Sequence, residues 1–173
     1  MNKKILLAVL GSFLGFAAQA ADQGQGRINF HGTVIQAPCG IAPESVNQTI
    51  EFGSVSSASL TAGQTSVRKD VDIKLVNCDI TAEGAAKTVT ATFTGTHGTD
   101  SKQLSTAGDT GTVIYLSAQD GTMVSFDGTT GNNQVQLANG DNTLHYSAWV
   151  AKGTNAVKEG EFSAAANFNL TYK

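Results

Sequence analysis

Cys39 and Cys78 are the only two cysteines of the chain, and their thiols are its obvious candidates for chemistry. A zinc site would need further Cys or His ligands at short, regular spacing. The three histidines, His31, His97 and His145, are scattered instead, so no metal site is expected. Paired carboxylates for acid–base work have one candidate, Asp120 and Asp127, flanking a probable hairpin. Each begins an Asp-Gly step, and such steps form turns far more often than active sites. A serine nucleophile lacks the Gly-x-Ser-x-Gly elbow. Gly24-Gln25-Gly26 is followed by neither a lysine nor a helical pattern, so it is no phosphate loop. The residues point to a protein that is not an enzyme and takes no cofactor.

Composition narrows the classes further. The 173 residues are 40% apolar and only 14% charged, with 19 glycines against two prolines. That supports one domain with a real core. It excludes a disordered tail, which needs more charge, and a coiled coil, which is rich in Glu, Lys, Leu and Arg. A net charge of −3 with no basic run leaves no electrostatic footprint for nucleic acid.

Residues 1–20 read as an export signal. Lys3 and Lys4 precede an apolar run that starts Ile5-Leu6-Leu7-Ala8-Val9-Leu10, and Ala18-Gln19-Ala20 fits the small-x-small cleavage rule. Cleavage is expected before Ala21. No later apolar run approaches the ~18 residues of a membrane span. Export implies an oxidising compartment, where Cys39 and Cys78 should pair. The bridge would close a loop of about 40 residues, worth roughly 4 kcal/mol by the chain-entropy model.

Beyond the signal the hydrophobic period is two, the mark of strands. Val67, Val71, Ile73 and Leu75 share one parity, with Asp70, Asp72 and Lys74 on the other. Val89, Ala91 and Phe93 alternate with Thr88, Thr90, Thr92 and Thr94. Leu144, Tyr146, Ala148 and Val150 alternate with His145, Ser147 and the lone Trp149, for which packing is expected over sugar stacking. Thr112 to Ala118 reads as a short strand apolar on both faces. Turn residues lie between, at 95–98, 107–111, Asp120-Gly121, 127–133 and 139–142. The one helix candidate is Ser57 to Ala62. Many short strands at this spacing suggest a single β-sandwich.

Both ends of the mature chain are unusual. From Gly160 onward Phe162, Ala164, Ala166, Phe168, Leu170 and Tyr172 fall on even positions against a mostly polar odd face. One strand from 160 to 172 would span roughly 40 Å, far beyond the common length. At a chain end such a strand needs neighbours on both sides. At the other end Ile28, Phe30, Gly32 and Val34 alternate with Arg27, Asn29, His31 and Thr33, after a glycine-rich lead that puts Gly24 and Gly26 on the same parity.

Signal, alternating arm, Ala37-Pro38-Cys39, Leu75-Val76-Asn77-Cys78, Gly160 and the penultimate Tyr172 together resemble the pilins of chaperone–usher fimbriae. The likeness is greatest to a major rod subunit of a type-1-like pilus. The resemblance covers the mature chain and divides it into residues 1–20 (signal peptide), 21–36 (N-terminal donor-strand extension) and 37–173 (pilin domain). It implies an all-β, immunoglobulin-like sandwich lacking its last strand, completed in trans by a donor strand. Gly24, Gly26, Ile28, Phe30, Gly32 and Val34 would be the donor. Gly160, Phe162, Ala164, Ala166, Phe168, Leu170, Tyr172 and Lys173 would form the acceptor groove and chaperone-binding strand. The implied partners are neighbouring copies of the subunit, a periplasmic chaperone whose basic residues hold the Lys173 carboxylate, and an outer-membrane usher. The implied role is a structural subunit of a fimbria on the bacterial surface, supporting adhesion after export through the periplasm. A minor adaptor subunit or a carbohydrate-binding adhesin module is the alternative.

Overall fold

The structure, a computed structural model, describes residues 26–173. The export signal and Gly24 lie outside the described residues. The chain divides after Val34. Residues 26–34 contain no helix or strand. Residues 35–173 contain, in order, β1 (Gly40–Ile41), α1 (Pro43–Val46), α2 (Ser57–Thr61), β2 (Lys69–Cys78), β3 (Thr88–Gly95), β4 (Leu104–Ser105), β5 (Thr112–Ala118), β6 (Asn132–Gln136), β7 (Gly140–Lys152) and β8 (Ala166–Tyr172).

The strands make two antiparallel sheets, one ordered β1-β2-β7-β5-β4 and one ordered β6-β3-β8. Alternation explains how they form a core. Ile73 and Leu75 of β2, Val89, Ala91 and Phe93 of β3, and Leu144, Tyr146 and Ala148 of β7 are all buried in one cluster. Phe93 of one sheet meets Tyr146 of the other edge to face, with ring centroids 5.0 Å apart. Near the end of β2 the register shifts between Leu75 and Cys78, and Asn77 takes a φ of 54°. This bulge turns both Leu75 and Cys78 inward although their parity differs. Cys78 is bonded there to Cys39, as export implied.

Val67 shares the parity of Ile73 and Leu75, but β2 starts at Lys69 and Val67 is 79% exposed. The turn at 127–133 is shorter than expected, because β6 begins at Asn132. The C-terminal strand begins at Ala166, not Gly160. Its partner β3 ends at Gly95, opposite Ala166, so upstream residues have no ladder to join. There Ser163 pairs instead with Ala107, beside the other sheet. The helix expected at Ser57 is present as α2, capped by the Ser56 side chain, which accepts from the Ser59 N–H.

Tyr146 carries a consequence for alkaline pH. Its hydroxyl is buried with no hydrogen-bond partner among the described residues. Burial, then the negative charge of Asp120, pushes its pKa up to about 12. The folded state therefore holds the proton more tightly than the unfolded chain. Its contribution to stability is complete below pH ~10 and is lost as pH rises toward 12. Tyr146→Phe should be neutral or mildly stabilising at neutral pH, since it removes an orphan polar group, and should reduce the alkaline loss. Denaturant unfolding of both chains at neutral and alkaline pH checks this. A loss above ~2 kcal/mol at neutral pH would mean that the hydroxyl has a partner.

Candidate functional site

The two exposed flanks of the sandwich are treated differently. Along β2, α1 and the residues after it cover the backbone edge. The Lys74 N–H donates to Ser45 Oγ at 3.0 Å, and Gln48 Nε2 donates to the Asp72 carbonyl at 2.8 Å. Lys69, Asp70 and Lys74 add exposed charge, as guarded edges do.

The edge of β8 has no such guard. It pairs with β3 alone, and its other side has no strand partner among the described residues. From Ala166 to Tyr172 it carries no charge and no proline. Phe168, Leu170 and Tyr172 face inward against the core yet remain only half-buried. Asn167, Asn169 and Thr171 face outward and are exposed. An uncharged edge with a half-covered apolar face would invite aggregation if left bare.

A second segment matches it. Gln48, Ile50 and Phe52 are half-buried and alternate with exposed Thr49, Glu51 and Gly53. This is strand-like patterning in a stretch assigned to no strand, and residues 49–55 make no backbone hydrogen bond among the described residues. Between this segment and residues 157–162 lies a cavity of about 770 Å³. Phe52, Val55, Leu60, Val157, Gly160 and Phe162 are among its lining residues. Phe52 and Phe162 approach across it, with ring centroids 6.3 Å apart.

Glycines hold this wall in place. Gly160 has a φ of 151°, a conformation that side chains rarely adopt. A Cβ on Gly108 would run into the Glu161 carbonyl oxygen, so a bare backbone there allows the turn before β5 to seat against the wall.

The expected site residues therefore separate into groups. Gly160 and Phe162 line the cavity, and Phe168, Leu170 and Tyr172 line the inner face of β8. Ala164 and Ala166 are exposed. Lys173 continues the ladder, its carbonyl accepting from the N–H groups of Lys87 and Thr88. On the arm, Ile28, Phe30 and Val34 are 78%, 88% and 102% exposed. Of the six large apolar residues exposed among the described residues, four lie within 28–35. Sequence reading missed the segment 48–53, whose only signal was the short Ile50-x-Phe52 alternation.

The other candidates have structural roles. Asp127 accepts from the Thr130 hydroxyl and from the N–H groups of Thr130 and Thr129, which hold its carboxyl well below the usual range. Asp120 accepts from the Thr122 N–H. Trp149 stacks on Tyr115 at 5.7 Å, and the Arg68 guanidinium lies 3.6 Å over its ring. Only 8% of Trp149 is exposed, so it offers no open face for a sugar ring.

Comparison with known proteins agrees with this architecture. A sequence model of the family described as fimbrial protein matches residues 28–173. The PRS fimbrial major pilin protein of Escherichia coli is 50% identical over 162 residues, covering 90% of this chain and 99% of that protein. A solved chaperone–usher pilus structure, from work on rod uncoiling, superposes with a TM-score of 0.82 at 47% identity, over 87% of this chain and 97% of the other. The crystal structure of the P pilus rod subunit PapA gives 0.74 at 45%, over 79% and 100%. The chain belongs to the fimbrial protein family and is a structural pilin, not an enzyme.

Proposed function

We propose that the chain polymerises into a pilus rod by strand exchange: residues 22–34 of one copy fill the gap between β8 and residues 48–56 of the next. The observation that carries this reading is the pairing of two defects. The sandwich has an unguarded, half-covered apolar edge, and the arm has apolar residues on one parity and no cover for them. Ile28, Phe30 and Val34 would each contribute about 1.5–3 kcal/mol by burial. Backbone bonds to the β8 edge supply affinity, and the side-chain alternation sets register. A head-to-tail contact that does not close on itself grows a filament.

On this reading residues 21–36 are the extension and 37–173 the acceptor domain. Before assembly the same edge is held by a periplasmic chaperone, which also binds the Lys173 carboxylate, and an outer-membrane usher receives the complex. The product is a fimbrium on the cell surface. Deleting residues 22–34 should yield chains that never form filaments but are stabilised by a synthetic peptide of residues 22–36. Thermal melting with and without peptide, together with electron microscopy, checks this. Filaments from the deleted chain, or a peptide that changes nothing, would overturn the reading.

A further inference from the structure

The wall of the cavity at residues 157–162 has no ladder of its own. β7 ends at Lys152 and β8 begins at Ala166, so residues 153–165 lie in neither strand. Among the described residues, every backbone hydrogen bond of this stretch runs to one turn, residues 107–111. The Gly153 N–H donates to the Gly111 carbonyl at 2.8 Å, and the Lys158 N–H donates to the Thr110 carbonyl at 2.9 Å. Ala107 and Ser163 exchange backbone bonds at 2.8 and 3.4 Å. The Lys158 ammonium reaches Asp109 of the same turn at 2.7 Å.

The turn also approaches the wall more closely than a side chain would allow. Gly108 has a φ of 102°, and a Cβ there would meet the Glu161 carbonyl oxygen and the Phe162 Cα. That is the point from which Phe162 faces Phe52 across the cavity. A Cβ on Gly111 would meet the Ala156 carbonyl oxygen. The turn thus fixes the wall at two points, and the position of Phe162 follows from the first.

Resting on the proposed function, we propose that the turn 107–111 is a clasp that sets the width of the gap for an incoming arm, with Gly108 as its positioning residue. Every strand pairing in both sheets is antiparallel. An arm added to β8 in that sense brings Val34 to residues 157–162. Val34 is β-branched and has few rotamers, so it adapts poorly to a wall that has moved. Phe30 lies about 13 Å further along the added strand, beyond the reach of the clasp.

The test is filament growth from purified full-length chain, with Gly121→Ala as the reference. Gly121 also has a positive φ, 84°, but nothing lies within 4 Å of a Cβ there, so alanine brings the backbone strain without the collision. Gly108→Ala should grow roughly tenfold more slowly than Gly121→Ala. In a Phe30→Leu chain Gly108→Ala should slow growth by the same factor. In a Val34→Ala chain it should slow growth only about twofold further, because the side chain that needs the wall is already gone. Melting of each variant checks the fold. If Gly108→Ala melts too low to assay, Lys158→Gln, an exposed change that releases Asp109, takes its place, with about a twofold slowing and the same coupling to Val34. Growth of Gly108→Ala at the rate of Gly121→Ala overturns the clasp, as does an equal slowing in the Val34→Ala and Phe30→Leu chains. A native rate from Lys158→Gln overturns it where that variant stands in. A Phe30→Asp chain run in parallel separates the two ideas: if it grows normally, it is the arm reading that has failed.

Discussion

Phe30→Asp should abolish filament growth while leaving the sandwich folded. The two halves of that expectation have different origins. Within its own chain Phe30 is 88% exposed, so replacing it removes no buried contact and leaves no cavity. Exposed substitutions of this kind usually stay within about 0.5 kcal/mol. In the gap of the next copy the same position would face the apolar wall formed with Phe168 and Leu170. There the variant forgoes about 1.5–3 kcal/mol of burial and must also desolvate a carboxylate or protonate it. A combined loss of about 4 kcal/mol or more corresponds to roughly a thousandfold in affinity, enough to stop a polymer whose every link repeats the contact. Unchanged melting with no pelletable filament is the expected pair of results. Filaments at native yield would remove the arm from the mechanism. Phe30→Leu, which keeps an apolar side chain of similar reach, should polymerise.

The two apolar faces are legible in the sequence, and what is not legible has a physical reason. Alternation in 28–34 and 162–172 exposes two apolar faces without obvious partners, because side-chain parity is a local property. What parity cannot report is the length of the partner strand. The even positions continue unbroken from Phe162 to Tyr172, yet the strand begins at Ala166 because β3 stops at Gly95. The second wall was invisible for a related reason. Ile50 and Phe52 give two apolar positions on one parity, too few to distinguish from a loop, and their significance appears only where Phe52 meets Phe162. β6 was missed because Asn132–Gln136 has a single apolar residue, Val135, and owes its pairing to β3. The bulge at Asn77 needed the structure too, since it reverses the parity that would have sent Cys78 to solvent.

Cys39→Ser should lower the stability of the free subunit by about 4 kcal/mol. The bridge spans a sequence separation of 39, so most of its effect is to restrict the unfolded chain. Both half-cystines are buried, at 2% and 5% exposure, so serine adds a hydroxyl to apolar surroundings and strands a thiol at Cys78. The double variant Cys39→Ala, Cys78→Ala isolates the loss of the link itself. Domains of this size are commonly stable by only 5–15 kcal/mol, and one whose core is open along β8 starts with less apolar burial than a closed sandwich. The variant should therefore fold poorly alone and be rescued by whatever fills the gap. In urea the midpoint should fall and the slope should rise, because the unlinked chain exposes more surface when it unfolds. Adding the peptide of residues 22–36 should recover part of the midpoint without changing the slope, since it binds only the folded form. Filament growth per folded molecule should stay near native, because the bridge joins the start of the domain to the end of β2 and takes no part in the β8 edge. A midpoint shift worth less than about 1 kcal/mol would deny the bridge its stapling role. Normal stability with failed growth would instead place Cys39, five residues beyond Val34, in the positioning of the arm.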